Sequence, residues 1–552
     1  MEQIPLPEVP TVAMQAPNDL ALGGGYEGAE RYSRELMKWA PRSDSGPMQV
    51  WKDKYLADAR SQNMSQNMGM VSGAITTQKN SIVGNQYRLN LKPRWELLGV
   101  PQAWAEEMQK VVETTFNTIA DSPSCYFDAG RMNTFTDLIR LGVGMGLTTG
   151  EILATVEWLR QSDRPFATAI QMMPSQRLCN PNEQMDTATI KSGVEMDLYG
   201  RETGFYFRRS YPGEEYIYGE WGWTYVPAQK PWGRPLVIHL LEQKTVSQPR
   251  GIADMVSALK HMHMTKEYQE VTLQSAVLNA SFAAAIESEL PQELIYQQMG
   301  IDPDGREANT MIGNYLRQLA AYSAGSKNLT VDGAKIPILY PGTKLTMMPA
   351  GTPGGVGTDF EASLLKHIAA TFNMSLEEFT HDFSKTNYSS AKAAMGETAK
   401  HYRVKKKQMA DRFANQIMRL WFEEEWNAGN IPLPPGKNRA WFYEPYVKDF
   451  ICNAEWIGGS SGQVDELKET TAATMRITSK LSTYEIECAK LGLDWRQVME
   501  QQAREARIME QYGIAAVADP NATTTSNTTS TNDQQADNSD QQSDSSDTGG
   551  NQ

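Results

Sequence analysis

The sequence predicts a helix-rich α+β protein assembled from several parts, and three observations carry that expectation. Two long segments, Ile252 to Leu290 and Ser389 to about Asn427, are free of Pro and almost free of Gly, as long helices are, and the first is rich in Ala, Leu, Met and Gln. Between about residues 150 and 245, by contrast, short β-type runs such as Leu153–Val156 alternate with Pro and Gly. The length of 552 residues is also too great for one hydrophobic core and points to about three or four domains.

Taken in order, residues 1–27 mix Pro, Gly and small side chains with no apolar period, so a flexible arm is expected there. Leu56 to Ile82 reads as helix and leaves through Val83-Gly84-Asn85 into a strand-like alternation of Tyr87, Leu89 and Leu91. Residues 102–120 and 133–150 read as helices. The runs at Leu153–Val156, Gly204–Tyr206, Tyr216–Tyr218 and Leu236–Leu240 read as strands. After the long helix from Ile252, closed by Pro291, a mixed region fills 291–356. A helix follows from Phe360 to about Thr371, and Ser375 with Glu378 marks a capping box for the next. Helices close the folded part at about 464–479 and 483–512, the second opened by Ser482 and Glu485. Past Gly513 the chain turns to Ser, Thr, Asn, Gln and Asp, too polar to offset an ordering cost of roughly 1–2 kcal/mol per residue, so that tail is expected to be disordered.

Apolar residues with Gly make up roughly 48% of the chain, inside the range of soluble globular proteins. No apolar run is long enough for a membrane span, and the prolines at 5, 7 and 10 do not suit a secretory signal, so a protein that stays in the cytoplasm of its cell of synthesis is expected. The net charge is −14, with six Asp and no base in the segment from Asp519 onward. A net-acidic chain does not wrap nucleic acid through its overall field, so any contact with DNA is local. Cys125, Cys179, Cys452 and Cys488 form no C-x-x-C pair, which predicts free thiols.

Catalytic signatures are weak. Gly458-Gly-Ser-Ser-Gly462 matches the nucleophile elbow of serine hydrolases around Ser460. That fold places its histidine after the serine, however, and the last histidine here is His401. The preceding Asn453–Trp456 does not read as a buried strand either, so a flexible turn is favoured. Gly142-Val-Gly-Met-Gly146 lacks the third glycine of a dinucleotide loop and suits close helix packing. The loop Gly351–Gly357 is followed by no Lys-Ser/Thr and reads as mobile. His261 and His263 point about 200° apart on a helix and read as surface residues, and Glu423-Glu424-Glu425 as a solvated face. The basic run Lys405–Lys407, with Arg403 and Arg412, makes either a phosphate-binding patch or, the favoured reading, a solvated or salt-bridged helix face. Paired methionines at 172–173, 262 with 264, and 347–348 suit adaptable subunit contacts as well as cores. No enzyme activity, cofactor or metal is expected.

The order of particular residues says more. Trp39-Ala40-Pro41 with Ser43-Asp44, Asp58-Ala59-Arg60 and Asn67, Gly73-Ala74-Ile75, and Ile82-Val83-Gly84 are followed by Gln248-Pro249-Arg250-Gly251 and Ala284 to Leu290. Leu364 to Ala370, Asn387-Tyr388-Ser389-Ser390-Ala391, Glu455-Trp456-Ile457-Gly458, Asp465 with Lys468-Glu469, and Leu481 to Glu485 come next. In this order, from Arg31 to about Gln502, the chain resembles the portal proteins of the lambda-like family of tailed bacteriophages. Within these strings Arg60, Asn67, Gly84, Gln248, Arg250, Gly251, Ser389, Trp456, Asp465 and Lys468 stand as the family-motif residues. The acidic tail departs from the pattern.

The resemblance implies a portal fold of wing, stem, clip and crown, closing into a homo-oligomeric ring, usually of twelve copies, around a central channel. Laid on the chain it implies a wing over 28–250, stem helices over 251–290 and 357–380 with a clip over 291–356 between them, and a channel loop over 381–390. The wing resumes over 391–463 and a helical crown occupies 464–513, leaving the tail at 514–552. The implied role is a ring at one capsid vertex through which double-stranded DNA is packaged and ejected, and which initiates procapsid assembly. Its implied partners are the terminase large subunit, head-tail connector proteins, the major capsid and scaffold proteins, and DNA, with no membrane. Its implied place is the virion, after assembly in the host cytoplasm. Lys366, Lys385, Asn387, Tyr388 and Lys392 are the candidate DNA-channel residues. The rival readings are a head-tail adaptor or shell subunit, which would not need paired long helices, and a hydrolase using Ser460.

Overall fold

In a computed structural model of the chain, the described residues are 34, 38–41, 43–214, 217, 219, 221–281, 329–331, 334–336, 356–384, 386–459 and 466–513. Tyr216 and Tyr218, Ala284–Leu290, Lys385, Ser460, Asp465, Met347–Met348 and nearly all of 291–355 therefore lie outside them. The chain divides into two compact units, Met1–Leu493 and Asp494–Gln552.

Helix α1 (Gly46–Asn67) opens on Pro47 and is followed by α2 (Gly69–Ile82). The single helix expected over 56–82 is thus longer at its start and broken at Met68, whose backbone is extended (φ −120°, ψ 106°). The weak helix formers Asn67 and Gly69 flank a methionine whose side chain is buried in the core, so packing overrides continuity there. After β1 (Arg88–Leu91) and the one-turn α3 (Trp95–Leu98), α4 (Gln102–Ala120) and α5 (Phe135–Thr149) lie where expected, and Thr134 and Asp137 form a capping box on α5.

The β region contains two sheets. Strands β2 (Glu151–Trp158), β3 (Thr168–Met172) and β8 (Val237–Leu241) form an antiparallel sheet in the order β3-β2-β8. Strands β4 (Ile190–Lys191), β5 (Val194–Met196), β6 (Glu202–Arg208) and β7 (Trp223–Pro227) form an antiparallel meander. The central β2 is buried along six successive residues because helices cover one face while a small second core, with Leu153, Leu178, Phe205 and Phe207, fills the other.

The long helix does not begin at Ile252. A 3-10 turn over Asp254–Ala258 leads into α6 (Leu259–Ser281). A short hairpin, β9 (Leu329–Val331) with β10 (Ala334–Ile336), is described within 291–356. Helix α7 (Val356–Thr371) pairs with α6: the His261 and His367 rings lie 4.3 Å apart and Tyr268 and Phe360 6.0 Å apart, so the two helices run antiparallel. Gly357, expected in a loop, lies in the first turn of α7. His263 is exposed and pairs with Glu267, whereas His261 is half-buried against its neighbour rather than a surface residue.

Ser375 caps α8 (Leu376–Thr380) through the Glu378 N–H, as expected. The segment from Ser389 is α9 (Tyr388–Lys405), a π-helical turn over Lys406–Asp411, and α10 (Arg412–Ala428). Gly142 and Gly146 pack α5 against this region. A Cβ at Gly142 would lie 3.0 Å from the Phe413 ring, and one at Gly146 2.9 Å from the Met409 sulfur, so these glycines serve close packing. The triple glutamate is a correction: Glu423 and Glu425 are buried, not solvated. Glu424 accepts hydrogen bonds from the Ala167 and Thr168 N–H groups and binds α10 to β3.

Helix α11 (Val447–Ile451) leads into β11 (Ala454–Ile457), which pairs antiparallel with β1. Asn453–Trp456 was not expected to be a buried strand, yet Trp456 and Ile457 are buried at its end. Trp456 stacks on Tyr87 at 5.4 Å and meets Phe116 and Phe135. Next come α12 (Glu466–Thr478) and α13 (Tyr484–Lys490), with α14 (Trp495–Tyr512) in the second unit. The helix expected over 483–512 is therefore interrupted, by Gly492 in a positive-φ conformation. The cap of α13 is Thr483, accepting from the Ile486 N–H, rather than Ser482. The four cysteines are free thiols.

Gly84 has φ +78°, and a Cβ there would stand 2.5 Å from the Gly459 Cα where the end of α2 meets the chain leaving β11. Gly84→Ala is expected to lower unfolding free energy by about 1–3 kcal/mol, read as an earlier urea midpoint. An unchanged midpoint would contradict this account of the corner.

Candidate functional site

The most concentrated chemistry lies where the β region hands over to α6. Glu151 begins β2 immediately after Gly150, and its carboxylate is fully buried. The Arg250 guanidinium donates to it, with Nη2 2.5 Å and Nε 3.1 Å from Oε1, and the Gly251 N–H donates to Oε2 at 2.8 Å. Lys54 of α1 lies 3.5 Å away, and donates to the Thr149 carbonyl at 2.6 Å. His239 of β8 sits between Glu151 (3.3 Å) and Glu202 of β6 (2.6 Å). Three bases thus face three carboxylates, Glu151, Glu202 and Asp58, which is how a charge cluster survives burial.

Burial pushes the Glu151 carboxyl upward, but Arg250, Lys54 and the His239 bond override it and hold it well below the usual range. Asp58, 2.9 Å from Lys54, is instead pushed up to about 6 by burial, with Glu151 adding to the rise. The Ser175 hydroxyl lies 2.7 Å from Glu151 and 2.8 Å from Asp58, and it has one proton to donate. Given to Glu151, that proton leaves a contact that Asp58 completes only by donating its own. The arrangement stores charge and fixes geometry. It presents no nucleophile beside a free base, and no group of three or more His, Cys, Asp or Glu suited to a metal ion occurs among the described residues.

Gln248, Arg250 and Gly251 meet here. Gln248 accepts from the Lys244 and Thr245 N–H groups and donates to the Arg250 carbonyl, shaping the turn before α6. A Cβ at Gly251 would meet the Gly150 carbonyl carbon and the Glu151 side chain, so the close approach requires glycine. Gly84 and Trp456 lie instead about the β1–β11 corner, Gly84 against Gly459 and Trp456 opposite Leu89. Arg60 is exposed on α1 beside Lys260, His263 and Lys266 of α6, and Asn67 is exposed at the end of α1. Ser389 lies in the first turn of α9 and Lys468 in α12.

Of the candidate channel residues, Lys385 lies outside the described residues, and Asn387, Tyr388 and Lys392 share the start of α9. Lys366 is exposed on α7. Lys392, on α9, lies 3.5 Å from Glu469, so part of its charge is already engaged. The Asn387 side chain caps α9 by accepting from the Ser390 N–H, and Tyr388 is the first residue of that helix. In the basic run, Lys405 is buried between Glu242 (2.6 Å) and Asp254 (2.9 Å), Lys406 bonds Asp411 and the Trp456 carbonyl, and only Lys407 is exposed.

The sequence profile of the lambda-family phage portal protein matches residues 32–406. The portal protein of Escherichia phage N15 is 34% identical over 494 residues, covering 89% of this chain and 90% of its own. Portal protein B of Escherichia phage lambda is 32% identical over 492 residues, covering 89% and 91%. The chain belongs to the lambda family of phage portal proteins. A probable portal protein of Halomonas phage phiHAP-1 is 20% identical across 88% of the chain. Among solved structures, the neck of an empty GTA particle aligns with 83% of this chain and 97% of its own at 12% identity, with a TM-score of 0.38. The profile spans Glu151, Lys54, Asp58, Ser175, His239 and Arg250, so the whole ionic hub lies in the family's shared region. Of these, only Arg250 and the Asp58 string stood out in the sequence. The remaining signal was a lone acid, Glu151, opening an apolar run.

Burial pulls His239 down, but Glu202 and Glu151 prevail and raise it to about 9. A group raised in the folded state stabilises fully below its unfolded value near 6.5 and loses that contribution as pH climbs through about 9. Urea unfolding is therefore expected to show a loss on the order of 3 kcal/mol between pH 6.5 and 9.5 that His239→Gln flattens. A slope equal in both proteins would refute the assignment to His239.

Proposed function

We propose that copies of this chain close into a ring, usually of twelve, at one capsid vertex, and that double-stranded DNA enters and leaves the shell through its channel. The observation that carries this is the continuous likeness to the N15 and lambda portal proteins over about nine-tenths of the chain. In this reading 28–250 and 391–463 are the wing, 251–290 and 357–380 the stem, 291–356 the clip, 381–390 the channel loop and 464–513 the crown. The antiparallel pairing of α6 with α7 supports the stem assignment. The clip docks the terminase large subunit, which spends the ATP, and later the head-tail connector proteins, while capsid and scaffold proteins meet the ring during procapsid assembly. The chain itself hydrolyses nothing. It is a virion component assembled in the host cytoplasm, and no helix among the described residues is long and apolar enough to cross a membrane.

Electrostatics supports a conducting rather than a gripping wall. Many copies at −14 each make an acidic annulus that repels the duplex, so DNA slides, while sparse inward bases steady it. Lys366, Lys385 and Lys392, with Asn387 and Tyr388, are the proposed contacts. Electron microscopy and sedimentation of the purified chain are expected to show closed rings with a central hole wide enough for a duplex. Only monomers, or sheets without a hole, across assembly-like buffers would overturn the proposal.

Lys366→Ala is expected to reduce DNA retention in packaged particles severalfold. Lys392→Ala is expected to act more weakly, because Glu469 already shares its charge. Packaging and retention unchanged in both variants would remove these lysines from the channel.

A further inference from the structure

At the other end of β2 from Glu151 lies a cleft of about 910 Å³. That volume falls within the roughly 300–1,000 Å³ of small-molecule sites. Buried Val156 and Phe166 contribute to its lining, and two tryptophans stand beside them. Trp158 closes β2 and is 50% exposed, and Trp232, in the connection from β7 to β8, is 62% exposed. Both are held in place. The Arg234 guanidinium lies 5.2 Å over the Trp158 ring, and Arg234 is itself buried, donating to the Thr168 hydroxyl at 2.8 Å and the Leu420 carbonyl at 3.2 Å. Trp232 sits on a tight turn in which the Lys230 N–H donates to the Arg234 carbonyl at 2.7 Å and the Gly233 N–H to the Lys230 carbonyl at 2.9 Å.

The acids that line the cleft are already engaged. Glu424 accepts from the Ala167 and Thr168 N–H groups, Glu423 from Lys448 at 3.1 Å and the Tyr443 hydroxyl at 3.3 Å, and Glu157 from the Thr155 hydroxyl at 2.8 Å. Two of its bases are not. Arg160 and Lys230 are exposed, and their side chains make no hydrogen bond or ion pair among the described residues. Arg160 only rests 5.8 Å from the Trp158 ring. In a chain of net charge −14, the cleft thus sets flat aromatic faces beside two uncompensated positive charges. An apolar ligand would leave the cations unused, and an aliphatic anion would leave the rings unused. A planar base that carries a phosphate uses both.

We propose that this cleft binds a nucleotide unit, its base stacked on the exposed indoles of Trp158 and Trp232 and its phosphate held by Arg160 and Lys230. A free nucleotide and a single-stranded stretch of nucleic acid share that chemistry. An intact duplex does not, because its bases are stacked on one another and cannot reach a side chain without being extruded. The site is therefore separate from any contact with a duplex in the channel, and it does not depend on ring formation.

The test is calorimetric titration of the full-length chain with deoxyadenosine monophosphate, a short oligodeoxyadenylate, a closed circular duplex and an oligoglutamate peptide. The monophosphate is expected to bind saturably, and Trp232→Ala and Arg160→Gln/Lys230→Gln are each expected to weaken it about tenfold. Lys407→Gln, which removes an exposed charge outside the cleft, is expected to leave binding unchanged. Added salt weakens the parent more than the double variant. Tighter binding of the oligomer than of the monophosphate assigns the site to a strand, and equal affinities assign it to the free nucleotide. The three substituted side chains are exposed, so their urea midpoints are expected to match the parent's, which separates lost binding from lost fold. Absence of saturable binding by both nucleotide probes, an equal loss in Lys407→Gln, or preference for the duplex or the oligoglutamate would overturn the proposal.

Discussion

The structure depends on one buried carboxylate. Glu151 stands where α5 ends and β2 begins, and its partners come from four other places in the chain: Lys54 on α1, Ser175 after β3, His239 on β8, and Arg250 with Gly251 before α6. Removing one charge from such a set leaves another buried without compensation, at a cost of about 3–5 kcal/mol, whereas well-packed apolar replacements of the whole set can be neutral. The hub is therefore better understood as a device of geometry than of stability. An apolar patch would tolerate sliding, but a guanidinium facing one carboxylate with backbone N–H groups in register accepts a single arrangement.

That arrangement fixes where α6 departs. The helix begins in the core, with Leu259, Met262 and Thr265 buried, and then leaves it, so that Val271, Leu273 and Val277 are exposed. The root of α6 is held from one side by the turn that Gln248 and Arg250 shape, and from another by Asp254, which binds both Lys244 and Lys405. Burial pushes the Asp254 carboxyl up, but the two lysines prevail and hold it below its ordinary value. Lys405 opens onto the π turn, and Lys406 within that turn reaches the Trp456 carbonyl. Hub, α6, π turn and the β1–β11 corner are thus joined by short ionic and hydrogen-bonded links rather than by contact alone.

Much of this fold was legible in the sequence, and what was not has a common cause. Periodicity located α4, α5 and α7 closely, because each keeps one apolar face and a clear end signal. It failed at Met68, in the π turn and at Gly492, where a local departure is decided by what packs against it. It failed also for Glu423 and Glu425, since an acid run looks solvated until its partners are known. Glu424 is satisfied by backbone groups of Ala167 and Thr168, some 256 residues away, and no local pattern encodes that. The same holds for Glu151 and Arg250, 99 residues apart. The family motif marked Arg250, Gly251, Gly84 and Trp456 without a reason. Packing supplies it: these residues build joints within the subunit.

The exposed side of α6 and α7 then has a consequence for how such subunits behave. Val271, Leu273, Val277 and Phe360 are each half or more open to water, and burying apolar surface returns roughly 25 cal/mol per Å². In the proposed ring that surface is covered by the next copy, so the outer part of the paired helices owes its order to neighbours, while its root owes none. A strain applied along the channel would accordingly be taken up between copies, where contacts are apolar and non-directional, before it reached the hub, where a shift of one ångström would break charge-assisted bonds. In the proposed ring, helices of neighbouring copies would then slide against one another while the hub within each copy holds its geometry.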